Sequence, residues 1–339
     1  MGVKLTDLMP RHEIKPETLA GKAVAIDASN HLYQFLTTIR APDGALFTDK
    51  EGNVTSHLIG LFSRTAYLLQ LKITPIYVFD GKPPELKGKT TEERRKLKQE
   101  AIAKYEAAVE KQDIEGMRKY AARSQRLTQA MVEDAKRLLS VLGVPFIQAP
   151  SEGEAQAARI VKDGNAYAVA SQDADSLVFG AERLIRNLSV TGRRQAKGVA
   201  REIMPPEIIY LKEMLSQNGI TQEQLVALSI LVGTDYNPGG IKGIGPAKGL
   251  KLVKERADYD KLFEELKWGF DFSWRDVYDA IAKMPTVQTA PFFLKPFKKQ
   301  DAVDFLCGEK GFSENRIEST LDKLSKSSDA SQRPLGSFI

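Results

Sequence analysis

Two carboxylate pairs stand out in the 339-residue chain: Glu152 and Glu154, then Asp173 and Asp175, each pair split by one residue. Between them, Ala155 to Val161 has a short helical pattern and Ala166 to Ala170 is an apolar run. Another strand-like run, Val144 to Gln148, precedes the first pair. Four acids delivered to one edge of a sheet repel each other strongly unless a positive charge sits among them. A hard divalent cation is the economical answer. The single cysteine, Cys307, rules out an internal disulfide and a thiolate zinc site. The three histidines, His12, His31 and His57, have no ligand spacing. Oxygen-only donors select Mg²⁺ or Mn²⁺. Two such ions about 3.5–4 Å apart can hydrolyse a phosphodiester.

The elements that must position these acids can be read from the same sequence. Ala23 to Asp27 is an apolar run with β-branched residues that ends in an acid, a buried parallel strand by pattern. Ala28 to Leu36 continues as a helix, for which Asp27 is also a plausible N-cap. Ser56 to Leu71 forms a long amphipathic helix carrying Arg64. Thr74 to Asp80 repeats the first pattern, and Gly81-Lys82-Pro83-Pro84 stops it, since two prolines cannot continue a ladder. Gln129 to Leu142 is a helix that ends at Gly143, and Leu184 to Leu188 is one more strand. Glu207 to Leu215 and Gln222 to Val232 have helical patterns. Strands alternating with helices predict an α/β fold, a mainly parallel central sheet with helices on both faces. Carboxyl ends of parallel strands share one edge, where ligands bind. Asp27, Asp80 and both pairs would therefore meet in one crevice, with Asp235 a further candidate.

The remaining chain offers basic and loop-forming segments. From Lys82 to Arg126 there are thirteen Lys/Arg and eight Asp/Glu, so the segment's net charge, 13 − 8 = +5, equals that of the whole chain. Few large apolar residues occur there. It reads either as a pair of solvated helices or as a cationic element touching phosphates. Lys82, Lys87 and Arg94 follow Asp80 and are the candidates for neutralising a reacting phosphate. Gly233 to Pro246 is dense in glycine and proline, and Lys248 to Glu255 resumes a helix. Such turns present unpaired N–H groups to a phosphate, although a plain helix–loop–helix joint has the same composition. Residues 257–325 carry Trp268, Trp274 and a Phe292, Phe293 and Phe297 cluster that suggest packing. Ser325 to Ser331 reads as a flexible linker, and the tail beyond it exposes Leu335, Phe338 and Ile339 as a docking peptide would. No apolar run approaches the roughly 18 residues that span a bilayer, and no secretory signal opens the chain.

Five ordered motifs together resemble the flap endonucleases, members of the structure-specific 5′-nuclease superfamily that includes the xeroderma pigmentosum group G repair nuclease. They are Ala25-Ile26-Asp27-Ala28-Ser29, Val78 to Pro84, Ala149 to Ala155, Gln172-Asp173-Ala174-Asp175 and Gly233-Thr234-Asp235-Tyr236. The resemblance implies a PIN-like fold and a Mg²⁺-dependent 5′-flap endonuclease with 5′–3′ exonuclease activity. Such an enzyme would act in Okazaki fragment processing and long-patch base excision repair. It implies one ion on Asp27, Asp80, Glu152 and Glu154 and another on Asp173, Asp175 and Asp235, with Glu154 shared. Lys87 and Arg94 match a basic pair that steers the scissile phosphate. Arg40, Arg64 and Gly233 match DNA-contacting positions, as do Glu152 and Asp235, and Tyr33 matches an aromatic that stacks on a base. Gly240 to Lys248 resembles a helix–two-turn–helix element that grips duplex backbone through Lys242, Gly243, Gly245 and Lys248, with a bound K⁺ a further implication. Residues 85–126 would be the helical arch through which a 5′ flap passes.

The implied organisation is an N-terminal nuclease region at 1–98 and a part of the helical arch or linker at 99–115. An internal nuclease region at 116–258, a C-terminal helical region at 259–324 and a tail at 325–339 follow. Within that tail, 331–339 resembles a sliding-clamp (PCNA) binding peptide, matched by Gln332, Leu335 and Phe338; Ile339 replaces its second aromatic. The absence of a basic extension beyond this peptide suggests an archaeal, cytoplasmic protein, expected to be monomeric and independent of membranes. Two rival functions fit less of the chain. An aspartyl-phosphate phosphatase built on Asp173 and Asp175 leaves Glu152, Glu154 and the basic segment unexplained. A non-catalytic clamp adaptor has no need of crowded acids that repel DNA.

Overall fold

The computed structural model describes residues 3, 5–41, 44–88, 100, 103, 127–188 and 204–329, with side chains described to 325. Arg94, most of the basic segment and the tail residues Gln332 to Ile339 lie outside the described residues. Seven strands form one sheet among the described residues. In chain order they are β1 (His12–Glu13), β2 (Ala23–Asp27), β3 (Thr74–Phe79), β4 (Phe146–Gln148), β5 (Ala168–Ala170), β6 (Arg183–Arg186) and β7 (Glu207–Tyr210). Their spatial order is β1-β7-β6-β5-β2-β3-β4. Five adjacent strands, β6-β5-β2-β3-β4, are parallel, β7 runs against them, and the edge strand β1, antiparallel to β7, points the same way as the five. The direction of winding reverses between β2 and β5, and in an open α/β sheet such a switch point opens a crevice at the strands' carboxyl ends.

Strand alternation feeds two cores. Ala25, Ile76, Val78, Val169, Leu184 and Ile209 face one. Val24, Ile26, Tyr77, Phe79, Ala168, Ala170, Ile185 and Ile208 face the other. The second core is closed by α1 (Ala28–Thr38), α2 (Ser56–Gln70), α3 (Gln129–Val141) and the C-terminal helix 314–329. The first is closed by α4 (Gly153–Lys162), α5 (Asp175–Val178), α6 (Leu211–Asn218), α7 (Gln222–Val232) and α8 (Pro246–Glu255), with α9 (Tyr259–Glu265) and α10 (Trp274–Ala282) outside them. The C-terminal aromatics pack as expected, with Phe263 stacked on Trp274 at 4.7 Å, although Phe293 is exposed. Among the described residues, no helix is long and apolar enough to cross a membrane.

One expected helix is corrected. Glu207 to Tyr210 is not the start of a helix but β7, and α6 begins at Leu211. The β-branched pair Ile208 and Ile209 registers with Ile185 and Leu184. Tertiary pairing along the open edge of β6 outweighs local helical pattern.

The helix α4, which begins beside the acidic pair 152/154, is also held from outside the sheet. The segment between α10 and α11 (Lys299–Val303) runs across it without regular structure. Gln156, fully buried, donates from Nε2 to the Val287 carbonyl at 2.8 Å and accepts the Val287 N–H at 2.8 Å. Asn165, just past the end of α4, donates to the Thr289 carbonyl at 2.7 Å. Gln156→Leu keeps the volume but leaves both Val287 groups to solvent, so chemical denaturation should show a loss of about 1–2 kcal/mol. An unchanged midpoint would mean that the crossing segment is held by other contacts.

Candidate active site

Asp27 ends β2 and does two jobs at once. Its Oδ1 accepts the Asn30 N–H at 3.0 Å, capping α1, while the residue stays buried in the wall of the crevice. Asp80 follows β3, and its Oδ1 accepts the Gly153 N–H at 2.7 Å. The N-terminus of α4 is thus capped from a different strand, and the Glu152 side chain makes no cap bond to its own helix. The close approach depends on glycine, since a Cβ at 153 would lie 2.9 Å from Asp80 Oδ1. Glu154, in the first turn of α4, accepts from Ser171 Oγ at 2.9 Å. The same Ser171 Oγ accepts the Asp173 N–H at 3.1 Å, and Asn30 Nδ2 donates to Asp173 Oδ2 at 3.3 Å. Asp175 opens α5 and accepts the Val3 N–H at 2.7 Å.

Asp235 comes from the glycine-rich loop after α7. That loop is pinned by the fully buried Asn237, whose Oδ1 accepts from Thr234 Oγ at 2.6 Å and whose Nδ2 donates to the Ile230 carbonyl at 2.7 Å. Gly233, with φ of 115°, and Gly240, with φ of 57°, sit backbone against backbone beneath it. Lys87 enters at the end of a single 3₁₀ turn, Glu85–Lys87, launched by Pro83 and Pro84. Its Nζ lies 2.7 Å from Glu152 Oε2 and 3.4 Å from Asp235 Oδ2.

All seven expected acids line one cavity of about 300 Å³, together with Asn30, Lys87, Tyr236 and the apolar walls Val178, Phe179 and Ile281. Crowding and burial keep protons on several of them. Burial first, then the charges of Asp80, Asp173 and Glu152, lift Asp27 to about 8 against the Asn30 N–H. Burial first, then Asp235 and Asp173, lift Asp175 to about 7 against the Val3 N–H. Glu154 is pushed well above the carboxylate range by burial and then by Asp175, Asp27 and Asp173. Burial raises Glu152 too, and Lys87 only partly opposes it. At Lys87 burial works against the charged form, but Glu152 and Asp235 outweigh it and the ammonium is favoured.

The donor set suits a hard divalent ion, being carboxylate oxygen throughout with no sulfur or imidazole among the lining residues. The buried Tyr236 hydroxyl lines the same cavity and has no hydrogen-bond partner among the described residues, as a group awaiting hydrated ligand would. As placed, no three of the acids stand close enough to ligate one ion among the described residues. The cavity wall is shared, but Lys87 occupies the gap between Glu152 and Asp235.

Sequence profiles of the XPG N-terminal domain and the XPG I-region match residues 1–101 and 143–235. Flap endonuclease 1 of Pyrococcus abyssi is 47% identical over 334 residues, covering 98% of this chain and 96% of the relative. The chain belongs to the flap endonuclease family. Flap endonuclease 1 of Aeropyrum pernix is 48% identical over 334 residues, 96% of this chain and 95% of the relative. Flap endonuclease-1 from Methanococcus jannaschii superposes with a TM-score of 0.76 at 39% identity, covering 98% of this chain and 100% of that one. The catalytic core of Rad2 in complex with DNA substrate shares the fold, with a TM-score of 0.70 at 24% identity and coverage of 96% and 100%. Nucleases of this family depend on divalent metal.

The other expected positions of this flap endonuclease fall into distinct places. Lys82 is exposed and lines a neighbouring groove with Pro150 and Met284 instead of the acidic cavity. Tyr33 is exposed on α1. Arg40, beyond the end of α1, donates to the Gly44 carbonyl at 2.8 Å. Arg64 is half-buried on α2, its charged form disfavoured by burial and then favoured by Tyr77 and Tyr67. Lys242, Gly243, Gly245 and Lys248 are exposed around the turns that open α8. Asn30 and Val3, which line the cavity, and Ser171, which ties Glu154 to the Asp173 loop, are not marked by the sequence pattern. Asn30 has a usable signal, a polar amide three residues past an acid that ends a strand.

Proposed function

We propose that the chain is a structure-specific, Mg²⁺-dependent 5′-flap endonuclease with 5′–3′ exonuclease activity, cutting DNA phosphodiesters at the base of 5′ flaps. The observation that carries this reading is the convergence of seven acids and Lys87 on one cavity at the switch point of the sheet, in a chain of this family. Asp27, Asp80, Glu152 and Glu154 would hold one Mg²⁺, and Asp173, Asp175 and Asp235 the other, with Glu154 shared. Bound there, two ions supply an ionised water at neutral pH and neutralise charge on the leaving oxygen. The residues do the rest. Asp80 fixes the start of α4, and Ser171 ties Glu154 to the Asp173 loop. Val178, Phe179 and Ile281 wall the cavity against bulk water. Lys87 and Arg94 bring positive charge to the scissile phosphate, where it counts most in the transition state, with Lys82 further out.

Around that centre, Arg40, Arg64, Gly233 and Tyr33 serve as DNA contacts, and Lys242, Gly243, Gly245 and Lys248 hold the duplex backbone, with K⁺ in the same turns. Glu152 and Asp235 serve as strand contacts as well. Gln332, Leu335, Phe338 and Ile339 dock on a sliding clamp, in Okazaki fragment processing and long-patch base excision repair. A labelled double-flap substrate tests the core of the reading. With Mg²⁺ and a free 5′ end it should be cut once near the flap base; with EDTA, or with the 5′ end blocked, cutting should fall to background. An uncut flap in Mg²⁺ would overturn the assignment. With clamp added, a chain ending at residue 331 should keep its basal rate but lose stimulation, and retained stimulation would remove the tail from the proposal.

A further inference from the structure

Lys87 is more firmly built into the acidic cavity than a residue that only meets substrate needs to be. Its side chain is 15% exposed. The main chain beneath it is fixed by Pro83 and Pro84, by the Lys87 N–H donating to the Pro84 carbonyl at 3.0 Å, and by Leu86 packing on the core. The ammonium lies 5.4 Å from the centre of the Tyr236 ring. It bridges Glu152, at the start of α4, and Asp235, in the glycine-rich loop. These two carboxylates are assigned above to different ions, and the ammonium occupies the space between them.

We propose that Lys87 is the resident counter-cation of the cavity, and that divalent metal must expel its ammonium from Glu152 and Asp235 to bind. The inference rests on the reading that these acids hold metal. A carboxylate has about four lone-pair sites, but an ammonium at contact distance from an oxygen cannot stay beside a dication on the same group without strong like-charge repulsion. The turn holds the backbone at 87 beside the cavity, so the released ammonium stays within reach of a phosphate that enters it. Metal loading and release of the phosphate-steering charge become one event, and an unloaded enzyme keeps Lys87 withdrawn from DNA.

Two readouts without DNA test this. The first is covalent labelling of lysine amines followed by mass spectrometry of the Lys87 peptide, with and without Ca²⁺ or Mg²⁺. Lys87 should be protected in the metal-free protein and label several-fold faster with metal, whereas exposed Lys82 should not change. The second is calorimetric titration of Mg²⁺. Lys87→Met should bind about tenfold more tightly than the parent, because no resident cation has to leave. Lys82→Met, which removes the same formal charge nearby, should shift affinity by less than about twofold. Unchanged or slower Lys87 labelling on metal binding would overturn the proposal, as would equal shifts in the two variants. Were the parent to bind no Mg²⁺, the metal assignment itself would fall, and the resident-cation proposal with it; normal binding with a silent Lys87 would overturn only the latter.

Discussion

Asp173→Ala should hold branched DNA about as tightly as the parent while cutting it at least about a thousandfold more slowly, a barrier increase of about 4 kcal/mol. The separation of binding from cutting follows from where Asp173 sits. It lies in the loop after β5, with its N–H on Ser171 Oγ and its carboxylate accepting from Asn30. Neither bond anchors a core element, and deleting one acid from a cavity of seven relieves repulsion. Loss of negative charge beside a polyanion also gives no reason for weaker DNA binding. What does change is the oxygen set offered to one of the two ions. Binding measured in Ca²⁺ and single-turnover cleavage measured in Mg²⁺ separate the two effects. Cleavage near the parent rate would remove Asp173 from the ligand set, and a parallel loss of binding would make its role structural.

The acids were legible because each closes a recognisable local pattern. A β-branched run that stops on an acid, as at Asp27, is a parallel strand delivering its last residue to the ligand edge, whatever the strand's place in the sheet. The reverse question, which strand ends are neighbours, needs register. The pairing of β2 with both β3 and β5 sets Asp27 between Asp80 and the 173/175 pair, and no short-range signal encodes that. The same limit hides the residues that brace the acids. Ser171 matters because its one hydroxyl touches both Glu154 and the Asp173 N–H, a relation between segments and not a feature of either. Asp27 shows that two readings posed as rivals, helix cap and site acid, can both hold for one carboxylate with two oxygens.

Neighbours in sequence were harder to separate than neighbours in space. Lys82 and Lys87 look equivalent after Asp80, but the Pro83-Pro84 turn sends one outward and the other into the cavity. At Glu207 to Tyr210 the apolar pair fits a helical period, whereas the edge of β6 recruits it as a strand. Both outcomes depend on what lies opposite, the information that periodicity lacks.

The protonation state of the acids gives the second large effect, an exchange of protons for metal. In the metal-free protein Asp27 is lifted from 3.8 to about 8 and Asp175 from 3.8 to about 7. Between pH 4 and pH 8 the folded chain therefore binds more protons at these sites than the unfolded chain does. Stability then falls as pH rises, because the slope follows the unfolded minus the folded proton count. The contribution is whole below about pH 4 and lost as pH passes through the folded values. Divalent metal reverses the balance, since a ligating carboxylate must be ionised. Melting temperatures in EDTA should decline from pH 5 to pH 8 relative to those in Mg²⁺, and the two curves should diverge as pH rises. Groups outside the cavity contribute equally to both curves, so their difference isolates the site. Calorimetry near pH 6.5 in two buffers of different ionisation enthalpy should register the release of roughly one or two protons as Mg²⁺ binds. Parallel melting curves with no proton release would mean that the acids are already ionised before metal arrives. The cavity would then have to tolerate its charge by holding Lys87 and bulk water closer than the buried positions of Asp27 and Asp175 allow.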